Sequence, residues 1–363
     1  MRCFPSIPAR ATLAVLAGLF ATAHAAAQAP PRTLDDFLAR DIGLNADQLA
    51  AIARGETVSV VLPTADEHDV AVFAAVRVDV PRSFFVQRQL EFPSALQTPT
   101  RVQLHLFSDP AVVADVQALP VPSGDLGDLQ DCRPGDCNFK LPATDMQRLR
   151  TTFDWTAPDV GARVTAYLHQ RMVDYVNAYR RDGNSAMVEY DDTKPVRSSD
   201  ALTAMLRDSA HMFRLAPSFV REMQDYPHDT LPGATQVTFW SIDQLPPVRP
   251  VLRITHETVY SPPELPGTTI FADKQIYADH YFEAGLELLT AVDLAPTGTA
   301  SEASAITLVA VRRYRFDNIW HIGPVNVMGR AVDGLRNNAV SDLTRLKSTS
   351  EAAWRASGGT QGR

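Results

Sequence analysis

The densest polar cluster in this chain is Lys274-Gln-Ile-Tyr-Ala-Asp-His-Tyr281. Read as a strand, it places Lys274, Ile276, Ala278, His280 and Phe282 on one side, with Gln275, Tyr277, Asp279 and Tyr281 opposite. The apolar members turn the first set inward, so Lys274 and His280 face a core or a cavity. Two other segments alternate in the same way: Leu252, Ile254, His256 and Tyr260 share a face, as do Ile306, Leu308, Ala310, Arg312 and Tyr314. Side by side in an antiparallel sheet, His256, Lys274, His280 and Arg312 would meet in one pocket. Its apolar walls and cationic end suit an apolar or amphipathic small molecule with an anionic head. The plainer alternative makes each imidazole a hydrogen-bonded core residue and sends Arg312 to solvent or a surface carboxylate. No residue is assigned a catalytic role. The sequence has no HExxH, no GxSxG, no Walker A and no GxGxxG before a helix, so no metal and no cofactor is expected. Asp66-Glu-His-Asp69 reads as a solvated turn.

The elements that must carry these residues follow from period and punctuation. Thr33–Gly55 reads as two helices, the second opened by a capping box at Asn45 and Gln48. Strands follow at Glu56–Leu62 and Val70–Val80, the latter alternating as a half-buried strand does. Pro81 then introduces a short helix, Ser83–Leu90. Arg101–Phe107 alternates again, with Val102, Leu104 and Leu106 on one face, and Pro120–Pro142 reads as loop. A helical block spans 144–226. Its longest member starts after Asp159, carries the stripe Val164, Leu168, Met172, Tyr175, Val176 and Tyr179, and stops at Gly183. From Gln236 the period returns to two, with strands at Val237–Trp240, Pro250–Tyr260, Thr268–Phe282, Leu286–Asp293 and Ala305–Phe316. Such close spacing implies antiparallel hairpins. A final helix, Gly329–Lys347, presents Val332, Leu335, Ala339, Leu343 and Leu346 along one side.

Residues 1–25 read as a cleavable signal peptide. Arg2 and Arg10 supply the positive start, and Ala11–Ala23 is an apolar run well short of the roughly 20 residues that span a bilayer. Ala23-His-Ala25 gives the small-x-small cleavage pattern. The expected location is therefore periplasmic or secreted. In that setting Cys132 and Cys137, separated by the turn residues Arg-Pro-Gly-Asp, read as a disulfide. Lys and Arg total 34 against 42 Asp and Glu, a net charge of −8. That balance argues against nucleic acid or an anionic membrane surface as partner, and no later stretch reads as a membrane span.

The order of elements implies an α+β fold in which a curved antiparallel sheet packs on a long C-terminal helix, with a helical block inserted in the middle. Val70–Val80, Pro81 and the short helix after it, together with the closing strands and Ala331–Lys347, resemble the helix-grip (START-like) superfamily. That resemblance implies an apolar cavity between sheet and last helix. Gly135-Asp-Cys-Asn-Phe-Lys-Leu-Pro142 and Lys274–Phe282 resemble segments of a family of uncharacterised exported bacterial proteins, which implies export and no particular activity. The expected organisation is N-terminal helices at 26–55, one α+β domain at 56–350 with its insertion at 144–226, and a flexible tail at 351–363. The expected function is binding of an apolar or amphipathic small molecule between sheet and last helix. The alternatives are a secreted hydrolase using His280 and His256 and an envelope structural or interaction protein without a ligand.

Overall fold

The computed structural model describes residues 33–209, 216–228, 231–245, 248–294, 305–317, 321–322 and 325–359. The expected signal peptide and the last residues of the expected tail lie outside them. Two short helices come first, α1 (Leu34–Arg40) and α2 (Ala46–Ala53). Their starts obey local chemistry. Thr33 Oγ1 accepts from the Asp36 N–H at 3.1 Å, and Asn45 and Gln48 close a reciprocal capping box.

The hairpin β1 (Val58–Leu62) and β2 (Asp69–Val78) leads through Pro81 into α3 (Arg82–Gln89), and β3 (Arg101–Leu106) follows. The helical block holds α4 (Ser123–Asp131), α5 (Ala143–Thr152), α6 (Val160–Asp182), the small hairpin β4 (Glu189–Tyr190) and β5 (Val196–Arg197), α7 (Ser198–Asp208) and α8 (Pro217–Asp225). A meander of β6 (Thr235–Asp243), β7 (Val251–Tyr260), β8 (Thr268–Ala278), β9 (Phe282–Asp293) and β10 (Ile306–Phe316) precedes the closing helix α9 (Val327–Ala356).

The α+β architecture is as expected: an eight-stranded curved antiparallel sheet in the order β1-β2-β10-β9-β8-β7-β6-β3, with a long C-terminal helix against it. Leu335, Ala339, Leu343 and Leu346 of α9 bury against Val72, Val76, Leu308 and their neighbours on one face. The other face is covered by α1, α2, α6, α7 and α8, whose Phe37, Met172, Val176, Leu202 and Phe219 pack on Phe73, Trp240, Ile254, Leu286 and Val311. Both faces being covered, β2 is buried along almost its whole length and not half-buried as its terminal Arg77 and Asp79 suggest. Among the described residues no helix is long and apolar enough to cross a membrane.

Four local readings change. The stretch 120–142 contains α4, whose Gly124 and Gly127 weaken its helical signal in sequence. On β3 an irregularity between Arg101 and Gln103 turns Val102 outward, 51% exposed, and buries Arg101. The closing helix runs nine residues past Lys347, through the first half of the expected tail. The stretch Thr268–Phe282 is not one strand: the chain reverses at Asp279–Tyr281, where Tyr281 takes a φ of 61°, and Phe282 opens β9. Gly183 does end α6, with a φ of 61° and so little room that a Cβ would strike the Tyr226 carbonyl.

Cys132 and Cys137 lie at disulfide distance, with Cα atoms 4.6 Å apart. Between them, Arg133 and Asp136 exchange backbone hydrogen bonds around Gly135, whose φ is 82°. A cross-link closing so short a loop is worth about 2 kcal/mol. Cys132→Ser is therefore expected to lower stability in urea by about that amount, and protein lacking residues 1–25, and with them Cys3, is expected to show no free thiol when denatured without reductant.

Candidate functional site

The four residues expected in one pocket occupy three places. His256 on β7 and Lys274 on β8 are paired across the ladder and face the helical layer together. His256 Nδ1 lies 2.9 Å from the Tyr179 hydroxyl of α6. Lys274 Nζ donates to Asn184 Oδ1 at 3.1 Å and sits 5.3 Å and 5.0 Å from the ring centres of Tyr179 and Tyr226. Burial pushes the Lys274 ammonium down to about 8, against the attraction of Glu222. Burial likewise pushes the Glu222 carboxyl up and His256 well down. His256 Nε2, Glu222 Oε2 and Thr258 Oγ1 have no hydrogen-bond partner among the described residues.

Arg312 points to the other face. Its Nε meets Glu287 Oε2 at 3.1 Å and its Nη2 meets Asp342 Oδ2 of α9 at 2.5 Å. It is one link in a chain of alternating charges under α9: Asp273, Arg101, Asp243, Arg253, Glu287, Arg312, Asp342. The space between sheet and last helix holds about 100 Å³, and its lining is mixed: Leu96, Phe271, Leu288, Leu343 and Leu346 stand beside the charges of Arg101, Asp273, Glu287, Arg312 and Asp342. An anionic head would find no free guanidinium at Arg312, which already carries two carboxylates.

His280 stands apart from both. Ile276 is the extra residue of a β-bulge, because Ile254 pairs with Tyr277 while Thr255 pairs with Gln275. The bulge shifts the alternation by one residue. Tyr277 consequently joins Ile276 in the core under the helical layer, and Ala278 moves to the α9 side. His280 then falls in the reversal beyond β8. Its Nδ1–H donates to the Asn138 carbonyl at 2.8 Å, and its ring meets Phe139 edge-on at 5.3 Å. Its Nε2 lies 3.5 Å from Asp125 Oδ1 and 3.9 Å from Asp279 Oδ2.

The largest apolar cavity described lies near His280, on the helical-layer side. It holds about 250 Å³ between β6–β8 and the helical block, walled by Leu119, Phe139, Leu141, Leu168, Met172, Tyr175, Val188, Leu252, Ile254 and Tyr277. A cavity of about 150 Å³ already accepts benzene, so this one has room for two fused rings. Asp125, Asp145, His169, Arg171 and Asp279 add the polar wall. Arg171 is engaged, its Nε and Nη2 reaching Asp145 at 2.8 Å and 3.0 Å, while Tyr167 donates to the same carboxylate at 2.6 Å. His169 Nε2–H donates to the Leu119 carbonyl. The charge left facing the cavity is acidic.

Sequence reasoning missed Asp125, Asp145, Arg171 and Asp279. The stripe on α6 was the available signal. Leu168, Met172 and Tyr175 are the helix's cavity wall, and Arg171 lies beside them one residue out of phase. No protein-family model matches the chain, and no curated protein matches it significantly. What fold and cavity define is an α+β protein whose curved sheet is sandwiched between a long C-terminal helix and a helical layer, with an apolar cavity beneath that layer.

Proposed function

We propose that this chain binds an apolar or amphipathic small molecule in the cavity between β6–β8 and the helical block. The observation that carries this reading is the 250 Å³ space itself, apolar on most sides and acidic at one. The space is a cleft partly open to solvent, and a concave, mostly apolar cleft with a few polar groups is the usual form of a small-molecule site. With Arg171 taken by Asp145, the carboxylates Asp125 and Asp279 give the polar wall its acidic character, which favours a neutral or cationic head over an anionic one.

The test uses two probes of equal size, 1-naphthylmethylamine and 1-naphthoate, titrated by calorimetry into EDTA-treated protein. The amine is expected to bind at least about tenfold more tightly, a difference of about 1.4 kcal/mol. Leu252→Trp, which fills the cavity from β7, is expected to abolish binding of both while the far-UV circular dichroism stays unchanged. If neither probe binds, or if Leu252→Trp binds as well as the unmutated chain, the cavity is not the site. Native mass spectrometry of protein taken from its own source would then identify the natural ligand.

The enzyme alternative keeps one supporting observation, the buried amine of Lys274 among Tyr179, His256 and Glu222, because strongly shifted groups gather where proteins do chemistry. The hydrolase form of that reading needs a carboxylate at a histidine. Of the two, His280 has carboxylates at its Nε2, whereas His256 meets the Tyr179 hydroxyl.

A further inference from the structure

We propose that Asp125, Asp279 and His280 bind one divalent transition-metal cation in the wall of this cavity. The three donors come from α4 and from the reversal after β8, and each residue is at least nine-tenths buried, at 6%, 5% and 3% exposure. Their donor atoms all lie within 4.8 Å of one another. A tetrahedral metal with bonds of about 2.0–2.1 Å sets its donors about 3.4 Å apart. The separations of 3.5 Å and 3.9 Å from His280 Nε2 to the two carboxylates already approach that spacing.

The tautomer of His280 supplies the independent observation. A carbonyl oxygen only accepts, so the Nδ1 that contacts Asn138 must carry the proton, and in the neutral ring Nε2 is then a bare lone pair. That atom is buried, has no hydrogen-bond partner among the described residues, and points at two carboxylates. A lone pair facing two anions is repelled, so either a proton, which Asp125 and Asp279 favour on this ring, or a metal cation lies between them. The surroundings are built as the outer shell of a metal site is built. Asn138 orients the imidazole, and the Leu252 N–H donates to Asp279 Oδ1 at 3.0 Å, leaving Oδ2 for the cation. Arg249 competes in part, with its Nη1 3.4 Å from Asp125 Oδ1. It is half exposed, however, and its close partner is Asp128 at 2.5 Å. With all three carboxylates ionised and His280 neutral, as metal ligation requires, Asp125, Asp128 and Asp279 against Arg249 carry a net charge of −2, which a dication neutralises.

One imidazole and two carboxylates suit zinc and its first-row neighbours better than magnesium or calcium, which take oxygen ligands. Three protein ligands leave a fourth position. Because Asp125 and Asp279 also line the cavity, the cavity is the neighbouring space from which a fourth ligand would come. The proposal does not depend on ligand binding, since the metal is tested alone.

EDTA-treated full-length protein is titrated with Zn²⁺ by calorimetry, and zinc retained after gel filtration is counted by mass spectrometry. The expected result is one zinc per chain, with affinity at least about 100-fold weaker in His280→Ala and in Asp279→Asn. In case either variant misfolds, Co²⁺ is added to the unmutated protein, where intense visible d–d bands of a low-coordinate nitrogen–oxygen site are expected. No retained zinc and no such bands would overturn the proposal and leave a protonated imidazolium between the carboxylates. Undiminished binding by folded His280→Ala would overturn it as well. If zinc binds and neither naphthalene probe does, only the ligand reading fails.

Discussion

Glu287→Gln is expected to destabilise the fold by about 3–5 kcal/mol at neutral pH, the range for removing one partner from a buried ion pair. Glu287 joins the two halves of the charge chain under α9. Its carboxylate faces Arg253 at 3.4 Å and Arg312 at 3.1 Å, and it accepts from the Tyr314 hydroxyl. Without it Arg253 stays held to Asp243 and Arg312 to Asp342, but the two guanidiniums then face each other with no carboxylate between them. The pH dependence has a definite sign. Burial raises the Glu287 pKa, but Arg312, Arg253 and Arg101 outweigh it and hold the carboxyl at about 2, against an ordinary 4.5. A depressed carboxylate stabilises the fold fully above the unfolded value and loses that contribution as pH falls through the folded one. The gap between the two proteins should therefore be constant above pH 4.5 and close between 4.5 and about 2. Urea denaturation at pH 7 and pH 3 measures both. A loss below about 1 kcal/mol at pH 7 would show the chain of charges to be incidental, as exposed pairs are.

That charge chain also explains how far the sequence could be read. Period-two strands after Gln236, the stripe on α9 and the capping box at Asn45 are each decided by neighbours within a few residues, and they are legible for that reason. The site is decided by phase between strands. With both faces of the sheet covered, burial does not distinguish the face of Leu252, Ile254 and His256 from that of Ile306, Leu308 and Arg312. Two equally apolar faces look alike in one dimension, so residues on opposite sides were drawn into one pocket. The bulge at Ile276 and the reversal at Asp279–Tyr281 then moved Asp279 and His280 off the pattern that Lys274 begins. Asp125 was hidden differently, in a helix whose two glycines and preceding Pro120–Pro122 read as loop. Asp125 and Asp279, two of the acids that line the cavity, thus fall where the regular pattern is broken.

Lys274→Met is expected to stabilise the protein, by about 3 kcal/mol at pH 7 from its shift alone. The side chain is fully buried on β8, and burial lowers its folded pKa to about 8 from 10.5. Between those values the unfolded chain binds more protons than the folded one, so the unmutated protein gains stability as pH rises from about 8 toward 10.5. Below 8 the cost of the buried ammonium is fully present. The advantage of methionine, close in size and free of that cost, should be greatest below pH 8 and shrink above it. Chemical denaturation of both proteins at pH 7, 8.5 and 9.5 follows the difference. The remaining partners do not require the amine. Burial holds Glu222 toward its neutral form, Gln236 donates to its Oε1 at 2.9 Å, and Asn184 donates to the Met223 and Gln224 carbonyls. If methionine instead destabilises the fold, Lys274 and Glu222 form a structural ion pair and the cluster needs no other role. If it stabilises, the chain carries a costly amine among Tyr179, His256 and Thr258 that folding does not need. The case for chemistry at that second cluster would then rest on a measured cost.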